Sequence, residues 1–199
     1  MIIADQFVWL HLPKTAGTSM NQMFRNRRII GLKVDADDTT HKHDSVALRE
    51  SRGQWRAEER QRFITCRRLE HWLISDWQHK RRHMDLPNLD FEPVRSGLTY
   101  SLRLGGTWVA ADWWLQYFEI DETVISLRLE HLNDDLNQKL LPLLSPETNP
   151  FEGLPRENTK PKILQTQPSF NKTDLSRIAS TNPCWNAWQK KIYGDEIGA

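Results

Sequence analysis

Cysteine is scarce: the 199 residues hold two, Cys66 and Cys184, far apart in the chain. That excludes a disulfide-dense scaffold and a four-thiolate zinc site; reduced thiols are the expectation, with a single disulfide left open. No window reaches the roughly 18 apolar residues of a membrane span, and no charged leader with an apolar stretch and cleavage site opens the chain. A cytoplasmic protein with no membrane partner is expected. Charge of one sign is not in excess either, since the net charge is +1 with 27% charged residues. Without a global field toward nucleic acid, partner choice falls to a local site. The length suits one domain, residues 1–199, with a full core. There is no internal repeat and no low-complexity tract.

What the chain does have is alternation. "QFVWLHL" is an apolar run rich in β-formers, and after Ser19 the residues Met20, Met23 and Phe24 follow helical spacing, with Thr18 or Ser19 as the expected cap. "RFITCR", Arg62 to Arg67, repeats the strand signal before a helix in which Leu69, Trp72, Leu73 and Trp77 share a face. "TVISLRL" supplies a third strand, followed by a helix with Leu132, Leu136 and Leu140 on one side, and "IIGLKV" suggests a further strand. Such alternation predicts an α/β fold with a central, mostly parallel sheet flanked by helices, ligands sitting beyond the carboxyl ends of the strands. Met84 to Gly106 reads as an irregular insert, "TWVAADWWLQYF" as a buried helix, and Ser145 to Pro168, with five prolines, as a loop before two terminal helices. The nine tryptophans read mainly as core packing.

The loop "HLPKTAGTS" carries the chemistry. A loop entering a helix exposes unpaired amides at the positive end of the helix dipole, and Ala16 and Gly17 let an anion approach that backbone. Lys14 adds a mobile charge; Thr15, Thr18 and Ser19 add hydroxyl donors. A Walker loop has its lysine directly after a glycine and before the Ser/Thr that holds magnesium. Here the lysine stands three residues before Gly17, and no aspartate for a metal is evident at the later strand ends. This pattern favours a metal-free anion donor over a magnesium triphosphate.

These residues resemble the 5′-phosphosulfate loop of sulfotransferases that use 3′-phosphoadenosine 5′-phosphosulfate, in wording closest to the carbohydrate enzymes of heparan and uronyl type. The resemblance implies a three-layer, P-loop-like fold and a donor held by Pro13, Lys14, Thr15, Ala16, Gly17, Thr18 and Ser19. The family's second signature pairs an arginine at a strand end with a serine eight positions on, binding the donor's 3′-phosphate; Arg67 and Ser75 stand at that separation. Where the family has Asp or Asn and then Pro after the arginine, this chain has Arg68 and Leu69, and Trp72 replaces a further arginine. Bottom-up, an arginine fork and a serine hydroxyl suit a terminal phosphate dianion; without the first loop, Arg67 reads as an ion-pair partner of Glu70 or Asp76. The late loop "PRENTKPK" matches the place where relatives close over the donor, which makes Asn158, Thr159 and Lys160 candidate contacts.

Sulfuryl transfer requires charge neutralisation at the leaving phosphate, in-line placement of an acceptor and a base. Lys14 fits the first role. Relatives carry a catalytic histidine about 20 residues before the arginine, and "THKHDSVALRE" offers His43, with His41 and the carboxylate of Glu130 as alternatives. The competing reading sets both histidines on a polar turn with Asp44 capping the next helix. His11 reads as packing or orienting the loop, and "HKRRH" as an ordinary basic helix terminus. The expected acceptor is a carbohydrate or small-molecule hydroxyl, or an amine. A magnesium-dependent P-loop kinase or NTPase and a non-catalytic nucleotide-binding module remain open.

Overall fold

A computed structural model describes residues 1–53, 56, 60–153 and 168–198. The chain divides into two compact units, each assembled from two stretches: Met1–Cys66 with Tyr117–Pro161, and Arg67–Gln116 with Lys162–Ala199.

The first unit is built on a five-stranded mixed sheet. Strand β2, Phe7–Leu10, lies parallel to β4, Gln61–Cys66, which lies parallel to β7, Ile125–Arg128. All four residues of β2 are buried, as in a parallel strand covered on both faces. Two short strands, β1 (Ile2–Ile3) and β3 (Lys33–Val34), extend the sheet antiparallel on the β2 side, giving the order β3-β1-β2-β4-β7. The parallel arrangement expected from the alternation therefore holds for the three-strand centre, and the edge is antiparallel. Helix α1, Gly17–Arg25, packs Met20, Met23 and Phe24 into a core that includes Phe7, Trp9, Phe63 and Leu127. The indole of Trp9 donates to Thr65 Oγ1 at 3.2 Å, which pins β2 to β4. The Leu132–Leu143 stretch is helical throughout, α6 (Leu132–Asp135) widening into a π turn and tightening into a 3-10 turn, and it buries Leu132, Leu136 and Leu140.

In the second unit, α3 (Leu69–His83) buries Leu69, Trp72 and Leu73. One turn further, Asp76 and Lys80 are also buried, bonded to each other and both to Thr99. Residues 84–106 are not an irregular insert throughout: a short helix, α4 (Glu92–Arg95), is followed by β5 (Leu98–Ser101), which pairs antiparallel with β6 (Thr107–Ala110). "TWVAADWWLQYF" is likewise a strand and then α5 (Asp112–Tyr117), because cross-strand pairing with β5 overrides the helix-like run. Helices α7 (Lys172–Thr181) and α8 (Pro183–Tyr193) complete the unit, with Trp185 packed between Trp72 and Trp188. Among the described residues, no helix is long and apolar enough to cross a membrane.

Candidate functional site

In the parallel register Leu10 faces Ile64, so the chain leaves β2 and β4 at the same edge of the sheet. From β2 it enters a loop whose backbone is unusual: Lys14 and Ala16 both take left-handed conformations, with φ of 64° and 66°. For residues bearing a Cβ this costs about 1 kcal/mol each, and left-handed residues in a turn are the backbone feature from which anion-binding nests are built. Ala16, not Thr18 or Ser19, is the N-cap of α1, and it has no side chain able to cap. Among the described residues no side chain accepts from the amides of Gly17, Thr18 or Ser19. Helix α1 thus presents its first turn without a side-chain partner, and Lys14, half-buried, stands beside it in the chain.

Two residues of the loop act differently from the sequence reading. Thr15 is fully buried and its hydroxyl donates to the Leu12 carbonyl at 2.7 Å, so it fastens the loop to itself and only its amide remains for an anion. Gly17 is small for a reason other than ligand approach. A methyl group there would stand 1.5 Å from His11 Nε2, because the His11 ring fills the space a side chain would take. Pro13 and Thr18 are half-buried and Ser19 is buried.

The two candidate histidines lie in one 3-10 turn, Thr40–His43, and have opposite surroundings. His41 is exposed, its Nδ1 3.2 Å from Asp44 Oδ2 and 3.0 Å from Arg52 Nη1. His43 is half-buried, and its Nδ1 donates to the main-chain carbonyl of His11 at 2.8 Å. Since a carbonyl only accepts, Nδ1 carries a proton; in the neutral ring the lone pair then sits on Nε2, the arrangement a general base needs. The turn is held from behind: buried Arg49, in α2 (Val46–Ser51), is paired with Asp35 and donates to the His41 carbonyl at 2.7 Å. Ser45, not Asp44, caps α2 by accepting from Leu48. The rings of His11 and His43 meet edge to face at 4.6 Å. Burial holds the His11 imidazole well below its usual pKa and therefore neutral. Glu130, the alternative base, is exposed in a 3-10 turn after β7.

In the second unit, Arg67 is half-buried and its carbonyl accepts from the Trp185 indole at 3.2 Å. Asp76, one of the acids that sequence reasoning offered Arg67, is engaged with Lys80 and Thr99. Arg68 is compensated, donating to Asp195 at 2.6 Å and lying over the Tyr193 ring. Ser75 lies half-buried within α3. Asn158, Thr159 and Lys160 lie outside the described residues. The features that sequence reasoning missed are the left-handed residues of the loop and the His11–Gly17 contact; the one available signal was a histidine and a glycine bracketing a strand-to-helix turn.

Compared with known proteins, the chain matches no family model, no curated protein and no solved structure.

Proposed function

We propose that this protein is a sulfotransferase of P-loop-like, three-layer architecture, acting in the cytoplasm on a hydroxyl, or less favourably an amine, of a carbohydrate or small metabolite. The observation that carries the reading is the entry to α1: two left-handed residues, an amide turn with no side-chain cap, and Lys14 within it. This set fits an anion with several oxygens, and the displaced lysine argues against a magnesium-triphosphate loop. The donor, 3′-phosphoadenosine 5′-phosphosulfate, supplies the sulfuryl group. The amides of residues 16–19 bind its 5′ end, and Lys14 donates to the phosphate oxygen that leaves as the bond to sulfur breaks. His43 Nε2 takes the proton from the attacking acceptor oxygen, its ring held by the His11 carbonyl. Arg67 and Ser75 are assigned to the 3′-phosphate on the strength of their spacing.

The test is a thermal-shift comparison of 3′-phosphoadenosine 5′-phosphate with ADP and ATP, in the absence of metal. A ligand that binds only the folded state raises the melting temperature by mass action, so the 3′-phosphorylated nucleotide should stabilise most. Equal stabilisation by ADP, together with magnesium-dependent ATP turnover, would replace this reading with a kinase or NTPase. Donor binding with no sulfated product from a broad acceptor panel would leave a non-catalytic nucleotide-binding module.

A further inference from the structure

His11 touches both halves of the proposed chemistry within the first unit. Its main-chain carbonyl receives the Nδ1 proton of His43, and its ring lies edge-on to the His43 ring. The same ring fills the volume left by the missing side chain of Gly17, the first residue of α1. Trp9 closes the other side, its ring 5.2 Å from that of His11, and is itself tied to Thr65. His11 is only 3% exposed, and its Nδ1 has no hydrogen-bond partner among the described residues. An orphaned buried nitrogen is unfavourable by about 1–3 kcal/mol.

We infer that His11 is a positioning residue that registers the base against the anion loop: its ring reads the position of Gly17 and its carbonyl transmits that position to His43. The inference deepens the sulfotransferase reading and rests on it for the catalytic consequence, but the mechanical link stands on the contacts alone. It also reassigns the glycine. Gly17 is required to seat His11, so enlarging it damages the base as well as the anion site.

The link is tested by a double-mutant cycle read on His43. In the wild type, long-range 1H–15N correlation spectra should show His43 as the neutral Nδ1–H tautomer. Gly17→Ala forces the His11 ring and carbonyl out of place, so His43 should lose that signature and kcat should fall at least tenfold with KM for the donor changing less. Removing the ring in His11→Ala/Gly17→Ala relieves the collision, and the Nδ1–H signature should return. His11→Phe keeps both ring shape and carbonyl, and should leave the His43 tautomer as in the wild type. The inference is overturned if Gly17→Ala leaves the His43 spectrum unchanged, or if the double variant is no nearer to the wild type than Gly17→Ala. Should Gly17→Ala fail to fold, a folded double variant with the wild-type tautomer supports the link, and a double variant that also fails to fold sinks it. Because the tautomer is read without donor or acceptor, absence of donor binding in the wild type would remove the enzyme assignment and leave this result interpretable.

Discussion

Helices α1 and α3 both follow a strand of the central sheet, yet their first turns are finished in opposite ways. The first amide of α3 donates to the buried carboxamide oxygen of Gln189 at 2.9 Å, and Arg68 before it is neutralised by Asp195. The other long helices are finished too: α7 by the reciprocal Asn171–Asp174 capping box, and α8 by Asp112, whose carboxylate accepts from the amides of Cys184 and Trp185 at 2.8 and 2.7 Å. Among the described residues, only α1 of these four starts from two left-handed residues with no side-chain cap on its first turn. Helix ends satisfied from within are structural. An end left open, at a cost in backbone strain, is the one the proposed function gives to the donor's anion. Under the proposed function, the anion contacts of the first loop come mainly from backbone, whereas phosphate contacts at the start of α3 have to come from the side chains of Arg67 and Ser75.

That contrast can be broken most decisively at Lys14 and His43. His43→Ala should lower the transfer rate by about 10²–10⁴-fold while calorimetry shows donor-product affinity unchanged. Lys14→Ala should abolish transfer and also weaken binding of 3′-phosphoadenosine 5′-phosphate by roughly ten- to a hundredfold, as loss of a charged hydrogen bond requires. Undiminished transfer in either variant would remove that residue from the mechanism.

A filled helix end behaves differently. Asp112→Ala strands two amides of α8, one of them in a buried residue, and should reduce stability in urea unfolding by about 2–4 kcal/mol without selective loss of donor affinity. A change below about 0.5 kcal/mol would show that solvent replaces the carboxylate, erasing the distinction between filled and open ends. The two adjacent arginines sharpen the comparison further. Arg67→Ala should cost about tenfold in preference for the 3′-phosphorylated over the 3′-hydroxyl nucleotide, whereas Arg68→Ala, already paired with Asp195, should leave that preference within about twofold. The reverse ranking would transfer the phosphate role to Arg68.

Smaller effects report on the strained loop itself. His11 is held neutral by burial, so its folded-state pKa lies below that of the unfolded chain. The unfolded state therefore binds the extra proton as pH falls below about 6.5, and stability should decline through that window by at most about 1.4 kcal/mol per pH unit. His11→Phe should flatten this slope in pH-dependent urea titrations; an unaltered slope would assign it to other groups. The least effect is expected at Ala16. Glycine relieves about 1 kcal/mol of left-handed strain but adds about 0.4–1 kcal/mol of unfolded-state entropy. Ala16→Gly should therefore change stability by no more than about 0.5 kcal/mol, and a marked loss would mean that the alanine methyl packs more than its half-buried position indicates.

Both loops and their flanking strands were legible in the residues because their signals are local. A four-residue apolar run such as Phe7–Leu10, and Met20, Met23 and Phe24 at helical spacing, state their burial through periodicity alone. The hairpin of β5 and β6 was not legible, since Thr107–Ala110 becomes a strand only by pairing with Leu98–Ser101. Nor was β1, whose two residues carry too little pattern to register, whereas β3 falls within the "IIGLKV" run that suggested a strand.

The amino-acid sequence alone determined an alternating α/β chain with a strand–loop–helix unit at its first long strand, because side-chain size, branching and spacing act over a few residues. Tertiary structure decided which histidine is oriented, what Gly17 is small for and why Thr15 is withdrawn from the surface of the loop. Those outcomes depend on partners meeting in space, as when His43 reaches a carbonyl 32 residues away, and on a left-handed backbone at Lys14 and Ala16 that neither residue type favours by itself.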